Sequence, residues 1–193
     1  MPIDSSSERI ALASRRLLNK AGSEAVTMRR VAHAVSLTPM AIYRHYRDRD
    51  ALLNAIADEG FRELADLLAR RQRNGDIEHQ LLAVSEIFLD HALENPRLFE
   101  LMFLKPRPGA RKFPKDFKAG ESPTANVVAE VVAEGMKSGV FRHDDIWEIV
   151  FEIGALSHGL IMLYLGGRLG ATEERFREFY RRSFRRYIRG IRK

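Results

Sequence analysis

The sequence of 193 residues contains no cysteine. That absence excludes a disulfide scaffold, a Cys-ligated zinc or iron–sulfur site and thiol catalysis. It fits a reducing cytoplasm, which is the compartment expected. The six histidines show no close ligand spacing, so no metal site is expected. There is no glycine-rich phosphate loop and no nucleophile–base pattern. No cofactor is implied, and an enzyme becomes the least favoured reading, although catalytic groups can converge from distant segments. The longest uncharged run covers residues 153–167, 15 residues. A bilayer span needs about 20 apolar residues, so neither a spanning helix nor a membrane partner is expected. Residues 1–7 lack the basic start and apolar core of a signal peptide. Strand alternation and internal repeats are also missing.

What is present is a helical pattern with uneven charge. Apolar residues recur at three- and four-residue steps almost throughout, which predicts an all-α protein of about nine helices. The formal charge is +6, but the two ends are basic and the centre is acidic. Residues 1–50 carry nine Lys/Arg against five Asp/Glu, and residues 168–193 carry ten against three. Basic ends attract phosphate, of nucleic acid or of a membrane surface, or form solvated faces; charge alone does not separate these.

Local signals divide the chain. Ser5 and Glu8 can form a capping box that opens a helix ending near Gly22. Thr27 caps a short helix over 28–35. Thr38-Pro39 places a capping hydroxyl before a proline at the first helical position, giving a helix over 39–46. Asp48 caps a helix over 49–71, broken by Asn74-Gly75. Further helices are predicted over 77–94, 97–104, 123–138 and 146–166, the last opened by Asp145 and Glu148, with a final one after Thr172. Residues 105–121 hold three prolines, two glycines and six Lys/Arg. That composition predicts an exposed, mobile connector that could gate a pocket.

Three short helices within 46 residues, with a tight turn at Ser36-Leu37, form the pattern of a helix-turn-helix. The run Gly22-x-x-x-Val26-Thr27-Met28-Arg29-Arg30-Val31-Ala32 resembles the start of the tetracycline-repressor (TetR) family DNA-binding domain. It continues with Val35-Ser36-Leu37-Thr38-Pro39-Met40-Ala41-Ile42-Tyr43-Arg44-His45-Tyr46 and Arg49-Asp50-Ala51-Leu52-Leu53. The resemblance covers about residues 8–55. Ser36 stands where the family usually has Gly, Tyr46 where Phe is common and Arg49 where Lys is usual. A serine held at positive φ costs roughly 1 kcal/mol.

The resemblance implies roles for individual residues. Arg29 matches a position that reaches a base, where a guanidinium can pair with guanine O6 and N7. Pro39, Met40 and Ala41 occupy the exposed first turn of the reading helix and would sense thymine methyls and shape. Tyr43 and His45 match phosphate contacts; Thr27 and Thr38 add hydroxyls. Arg49 combines its charge with a helix N-terminus for one more phosphate. Arg44 is either solvated or on phosphate. Val31, Leu37, Ile42 and Tyr46 are expected in the core.

The body resembles the family more weakly, through Asn95-Pro96-Arg97-Leu98-Phe99, Glu134-Gly135-Met136-x-x-Gly139-Val140-Phe141 and His158-Gly159-Leu160, the last preceded by Ser157 where Trp is frequent. The family has a ligand cavity there. The candidates for a pocket are Phe88, His91, Phe99, Met102, Phe103, Trp147, Phe151, His158 and Met162, which are otherwise core residues. Such a pocket suits an apolar or aromatic effector, with His91 and His158 as polar handles. The last two helices resemble the family's dimer bundle. Gly154 would allow close approach, and Phe176, Phe179, Tyr180, Phe184 and Tyr187 form a stripe opposite an arginine face read as solvated. The expected division is residues 1–48 for DNA binding and 49–193 for ligand binding and dimerisation, with 49–71 as connector. The implied function is a homodimeric transcription regulator, a repressor released from double-stranded palindromic DNA by a small molecule. The alternative is an effector-less architectural or protein-partnered DNA-binding factor of the same fold.

Overall fold

The computed structural model describes residues 6–71, 73 and 75–193. The Ser5 end of the expected capping box and the Asn74 of the expected break lie outside the described residues. The helices are α1 (Ser6–Ala21), α2 (Met28–Ala34), α3 (Pro39–Tyr43), α4 (Arg49–Ala69) and α5 (Ile77–Glu94), then α6 (Pro96–Phe99), α7 (Lys115–Lys118), α8 (Pro123–Lys137), α9 (Ile146–Leu165) and α10 (Glu173–Ile191). A 3-10 turn, Ser23–Ala25, precedes α2, and a π turn, Glu100–Leu104, follows α6. Among the described residues there is no strand, only one isolated antiparallel bridge between Phe141 and Arg192. The protein is all-α.

The chain forms two compact units. The first runs to Phe61 and takes in Asn95–Ala110; the second comprises Arg62–Glu94 and Arg111–Lys193. In the first unit Ile10, Leu18, Val26, Val31, Ile42, Leu52 and Ile56 are fully or almost fully buried. Each such aliphatic side chain contributes about 1.5–3 kcal/mol when removed from water. That core is what holds α3, whose five residues are far too few to be helical alone. Residues 98–107 fasten onto α4 within this unit. A methyl group at Gly60 would lie 2.7 Å from Met102 Sδ. Phe61 meets Phe103 edge-on at 5.1 Å, and Arg107 donates to Asn54 Oδ1 at 3.0 Å.

In the second unit α5 packs with α8, α9 and α10. Leu81, Val132, Phe141, Ile161, Phe176, Phe184 and Ile188 are buried there. Gly135 permits the closest approach, since a Cβ would sit 2.2 Å from Phe141 Cδ2. The end of α10 is tied to the α8–α9 connection by Arg142 N–H donating to the Ile191 carbonyl (2.9 Å) and Lys193 N–H to Val140 (3.1 Å).

Two elements differ from the sequence expectation. The helix expected over 97–104 is α6 followed by the π turn. The connector 105–121 is not featureless: it contains α7, and Phe113 stacks on Phe151 at 4.3 Å with Phe117 edge-on to the same ring at 5.9 Å. Lys118 adds an ion pair to Asp145 at 3.0 Å. By length and composition alone α9 passes the test for a membrane span, a test that the core helix of a globular protein also passes. The uncharged run is shorter because Glu148 and Glu152 interrupt it, whereas an average over the helix tolerates them.

Candidate nucleic-acid interface

The helix-turn-helix is built from caps legible in the sequence. Thr27 Oγ1 accepts from Arg30 N–H and Thr38 Oγ1 from Ala41 N–H, both at 3.3 Å. Each satisfies an N–H that the first helical turn leaves without a partner. Between them α2 ends in a Schellman motif. Leu37 N–H donates to the Ala32 carbonyl at 2.9 Å, Ser36 N–H to His33 at 3.3 Å, and Ser36 itself has φ 57°. Glycine is the usual occupant of that left-handed position. Asp48 closes the module by accepting from Ala51 N–H at 2.7 Å. Those backbone and Arg47 hydrogen bonds hold its carboxyl below the usual carboxylate range.

Most of the sequence candidates on α2, on α3 and just after it are exposed. Arg29, Thr38, Pro39, Met40, Tyr43, Arg44 and His45 are exposed, Met40 at 67% and Tyr43 at 49%. Thr27 and Ala41 are half-buried. Val31 and Ile42 are core, and Leu37 and Tyr46 are half-buried. A short helix that shows apolar and phenolic groups in its first two turns, flanked by cations, suits a DNA major groove. Arg49 is different. Its Nε donates to the Val26 carbonyl at 2.9 Å and its Nη2 to the Ser23 carbonyl at 2.8 Å. The sequence offers no signal for that clamp, nor for Arg9 Nη2 donating to the Val35 carbonyl at 2.7 Å. Both join residues more than 20 positions apart.

The body candidates are divided between the two units. Phe99, Met102 and Phe103 belong to the first unit, whereas Phe88, His91, Trp147, Phe151, His158 and Met162 belong to the second. His91, Phe99 and Met102 are buried, while Phe151 and Met162 are 46% and 47% exposed. Phe88 meets His158 edge-on at 5.4 Å. Burial pushes the His158 imidazole down to a pKa of about 4, so it is neutral at physiological pH. A groove of about 310 Å³ lies elsewhere, lined by Arg142, Asp144, Glu148, Glu152 and Tyr187 among others. Tyr187 donates to Glu152 Oε2 at 2.7 Å. The four-residue spacing of Asp144, Glu148 and Glu152 was the available sequence signal for it. Among the described residues no group of three His, Asp or Glu is placed to hold a metal ion.

Three residues of the α10 stripe are placed differently from the expectation. Phe176, Tyr180 and Phe184 are completely buried inside the single chain, so they are core and do not face a partner. The Tyr180 hydroxyl donates to the Ser85 carbonyl at 3.1 Å and lies 3.0 Å from Ser157 Oγ. Phe179, Tyr187 and Gly154 are half-buried. The arginine face is not simply solvated either. Arg177 pairs with Asp90 and Arg181 with Glu86 at 2.5 Å, and Arg192, just past the end of the helix, pairs with Glu78 at 2.9 Å.

Comparison with known proteins agrees with this arrangement. Residues 10–56 match the family of bacterial regulatory proteins, tetR family, and residues 81–187 match the tetracyclin repressor-like C-terminal domain. The HTH-type transcriptional regulator Rv1816 of Mycobacterium tuberculosis is 25% identical over 140 residues, 70% of this chain and 59% of that one. The chain thus spans less than two thirds of the length of the curated relatives it matches. A protein of unknown function from Rhodococcus sp. RHA1 has a TM-score of 0.83 at 25% identity, covering 100% of this chain and 98% of that one. A tetracycline-repressor variant from Acinetobacter baumannii AYE, solved in complex with minocycline, has a TM-score of 0.68 at 18% identity, covering 96% and 95%. With the C-terminal match alone spanning more than half of the sequence and the helix-turn-helix match preceding it, the chain belongs to the TetR family of bacterial transcriptional regulators.

Proposed function

We propose that this chain is a homodimeric, cytoplasmic repressor that leaves a palindromic DNA operator when a small apolar or aromatic effector binds. The observation that carries the reading is α3, held by the Ser36 turn and the Thr38 cap with Met40 and Tyr43 exposed. In this reading α3 enters the major groove. Met40 and Ala41 touch thymine methyls, Arg29 reaches a base, and Tyr43, His45 and Arg44 contact phosphate. Residues 1–48 form the reading head and 49–193 the ligand-binding and dimerisation part.

The exposed apolar residues of α9 support a dimer: Phe151, Met162, Leu163 and Leu165 are each 42–47% exposed in the single chain. A two-fold dimer would place two copies of α3 on half-sites about 34–36 Å apart. The effector reading draws support from the C-terminal family match and from the minocycline complex of the Acinetobacter relative. The effector acts through its different affinities for the operator-bound and released conformations, typically about 1–3 kcal/mol.

The test is affinity for DNA selected from a random pool, against scrambled DNA, near 0.15 M salt. Specific recognition predicts a preference of about a thousandfold or more. Equal weak binding to both DNAs overturns the regulator reading. An effector then raises the melting temperature and lowers operator affinity; a selected operator with no responsive compound favours the effector-less factor.

A further inference from the structure

Both ends of α2 are tied down by arginines from the neighbouring helices of the same unit. At the entry, Arg49 from α4 donates through Nε to Val26 and through Nη2 to Ser23, at 2.9 and 2.8 Å, with the Glu24 carboxylate 3.4 Å from Nη2. At the exit, Arg9 from α1 donates to Val35 at 2.7 Å. The Val26 and Val35 carbonyls are ones that the helical ladder does not serve, while the Ser23 carbonyl also accepts the Val26 N–H at 3.0 Å. The donor for Val26 would be the Arg30 N–H, which instead goes to the Thr27 hydroxyl. The donor for Val35 would be residue 39, a proline without an N–H. The two arginines therefore complete the satisfaction of backbone groups at the two boundaries of α2.

We infer that Arg49, assisted by Arg9, is a positioning residue that sets the orientation of α2, and through the Ser36 turn of α3, for base reading. Its guanidinium is spent on the protein and is not a phosphate contact. A guanidinium presents Nε and Nη2 in a fixed planar fork, so two carbonyls engaged together fix an angle as well as a distance. A lysine at this position carries the same charge on a single point and does not fix that angle. The inference rests on the DNA-binding reading for its consequence, but the clamp itself is testable without DNA.

Arg49→Lys, Arg49→Gln and Arg9→Gln are compared with wild type in the full-length protein, by hydrogen exchange and by binding to selected and scrambled DNA over a range of salt. The clamp predicts at least tenfold faster amide exchange across residues 23–36 in all three variants, with α5 and α10 unchanged. It also predicts at least a tenfold loss of preference for selected DNA in Arg49→Lys as well as in Arg49→Gln, while the salt dependence keeps its wild-type slope. A phosphate contact predicts the opposite: Arg49→Gln shallows the slope by about 0.9, and Arg49→Lys restores both slope and affinity. That result overturns the inference. So does unchanged exchange across 23–36, whatever the DNA shows. If wild-type protein lacks any DNA preference, the regulator reading fails separately, and exchange alone decides the clamp.

Discussion

In the reading head, Arg9 and Arg49 donate to backbone carbonyls while Arg29, Arg30 and Arg44 stand exposed. In α10, Arg177 and Arg181 face the carboxylates of Asp90 and Glu86 on α5, and Arg192, just past its end, faces Glu78. Both regions are basic in sequence, and their arginines have different work. On α10 an acidic stripe of the neighbouring helix neutralises part of the charge. In the head, cations remain beside an exposed apolar turn, where a polyanion can meet them. A basic segment becomes a nucleic-acid candidate only when its charges lack an internal partner and its shape fits a groove.

The comparison can be broken most forcefully at the buried aromatic stripe of α10. Phe184→Ala should cost about 3–5 kcal/mol of stability, because a fully buried ring is removed and a cavity is left. The loss should be the same at all protein concentrations in thermal unfolding. A variant of normal monomer stability that merely dissociates a dimer would return the stripe to an interface.

His158 sharpens the comparison from within the body. Its folded pKa of about 4 lies below the ordinary value of 6.5. Between those values the unfolded chain binds a proton that the folded chain refuses, so stability falls as pH drops from about 6.5 towards 4. The loss attributable to this residue is up to about 3 kcal/mol. His158→Phe should flatten that part of the curve of melting temperature against pH. An unchanged curve would show that the imidazole is not the group responsible.

The smallest effects bear directly on the arginines. Arg29→Ala should weaken selected-DNA binding by about 1–3 kcal/mol, read as roughly a five- to 150-fold higher Kd, with stability unaltered. Arg181→Gln should do the reverse: DNA affinity unchanged and stability lowered by less than about 1 kcal/mol, since the pair with Glu86 is partly solvated. Equal effects of the two substitutions on DNA binding would erase the distinction between the regions.

Much of the head was legible because its signals are local. Thr27, Thr38-Pro39 and Asp48 act within three residues of themselves, and Ser36 occupies the left-handed position that the turn demands. The body was legible only as helices. A stripe such as Phe176, Tyr180 and Phe184 looks the same whether it faces its own chain or a second copy, because periodicity reports that a face is covered and not by what. The aromatic grouping of Phe113, Phe117 and Phe151 was hidden for a related reason. Its proline- and lysine-rich surroundings read as a solvated connector, while the ring that organises it lies in a different helix.

The helical class, the caps, the turn and the exposed character of α3 follow from the local sequence, since these depend on hydrogen bonds and sterics between near neighbours. How Arg49 and Arg9 are used, which arginines of α10 are neutralised and which aromatics are core depend on packing between distant segments. Those outcomes depend on which distant residue arrives within about 3 Å of a donor. Helical periodicity fixes the direction a side chain faces along its own helix, but not the identity of what it meets.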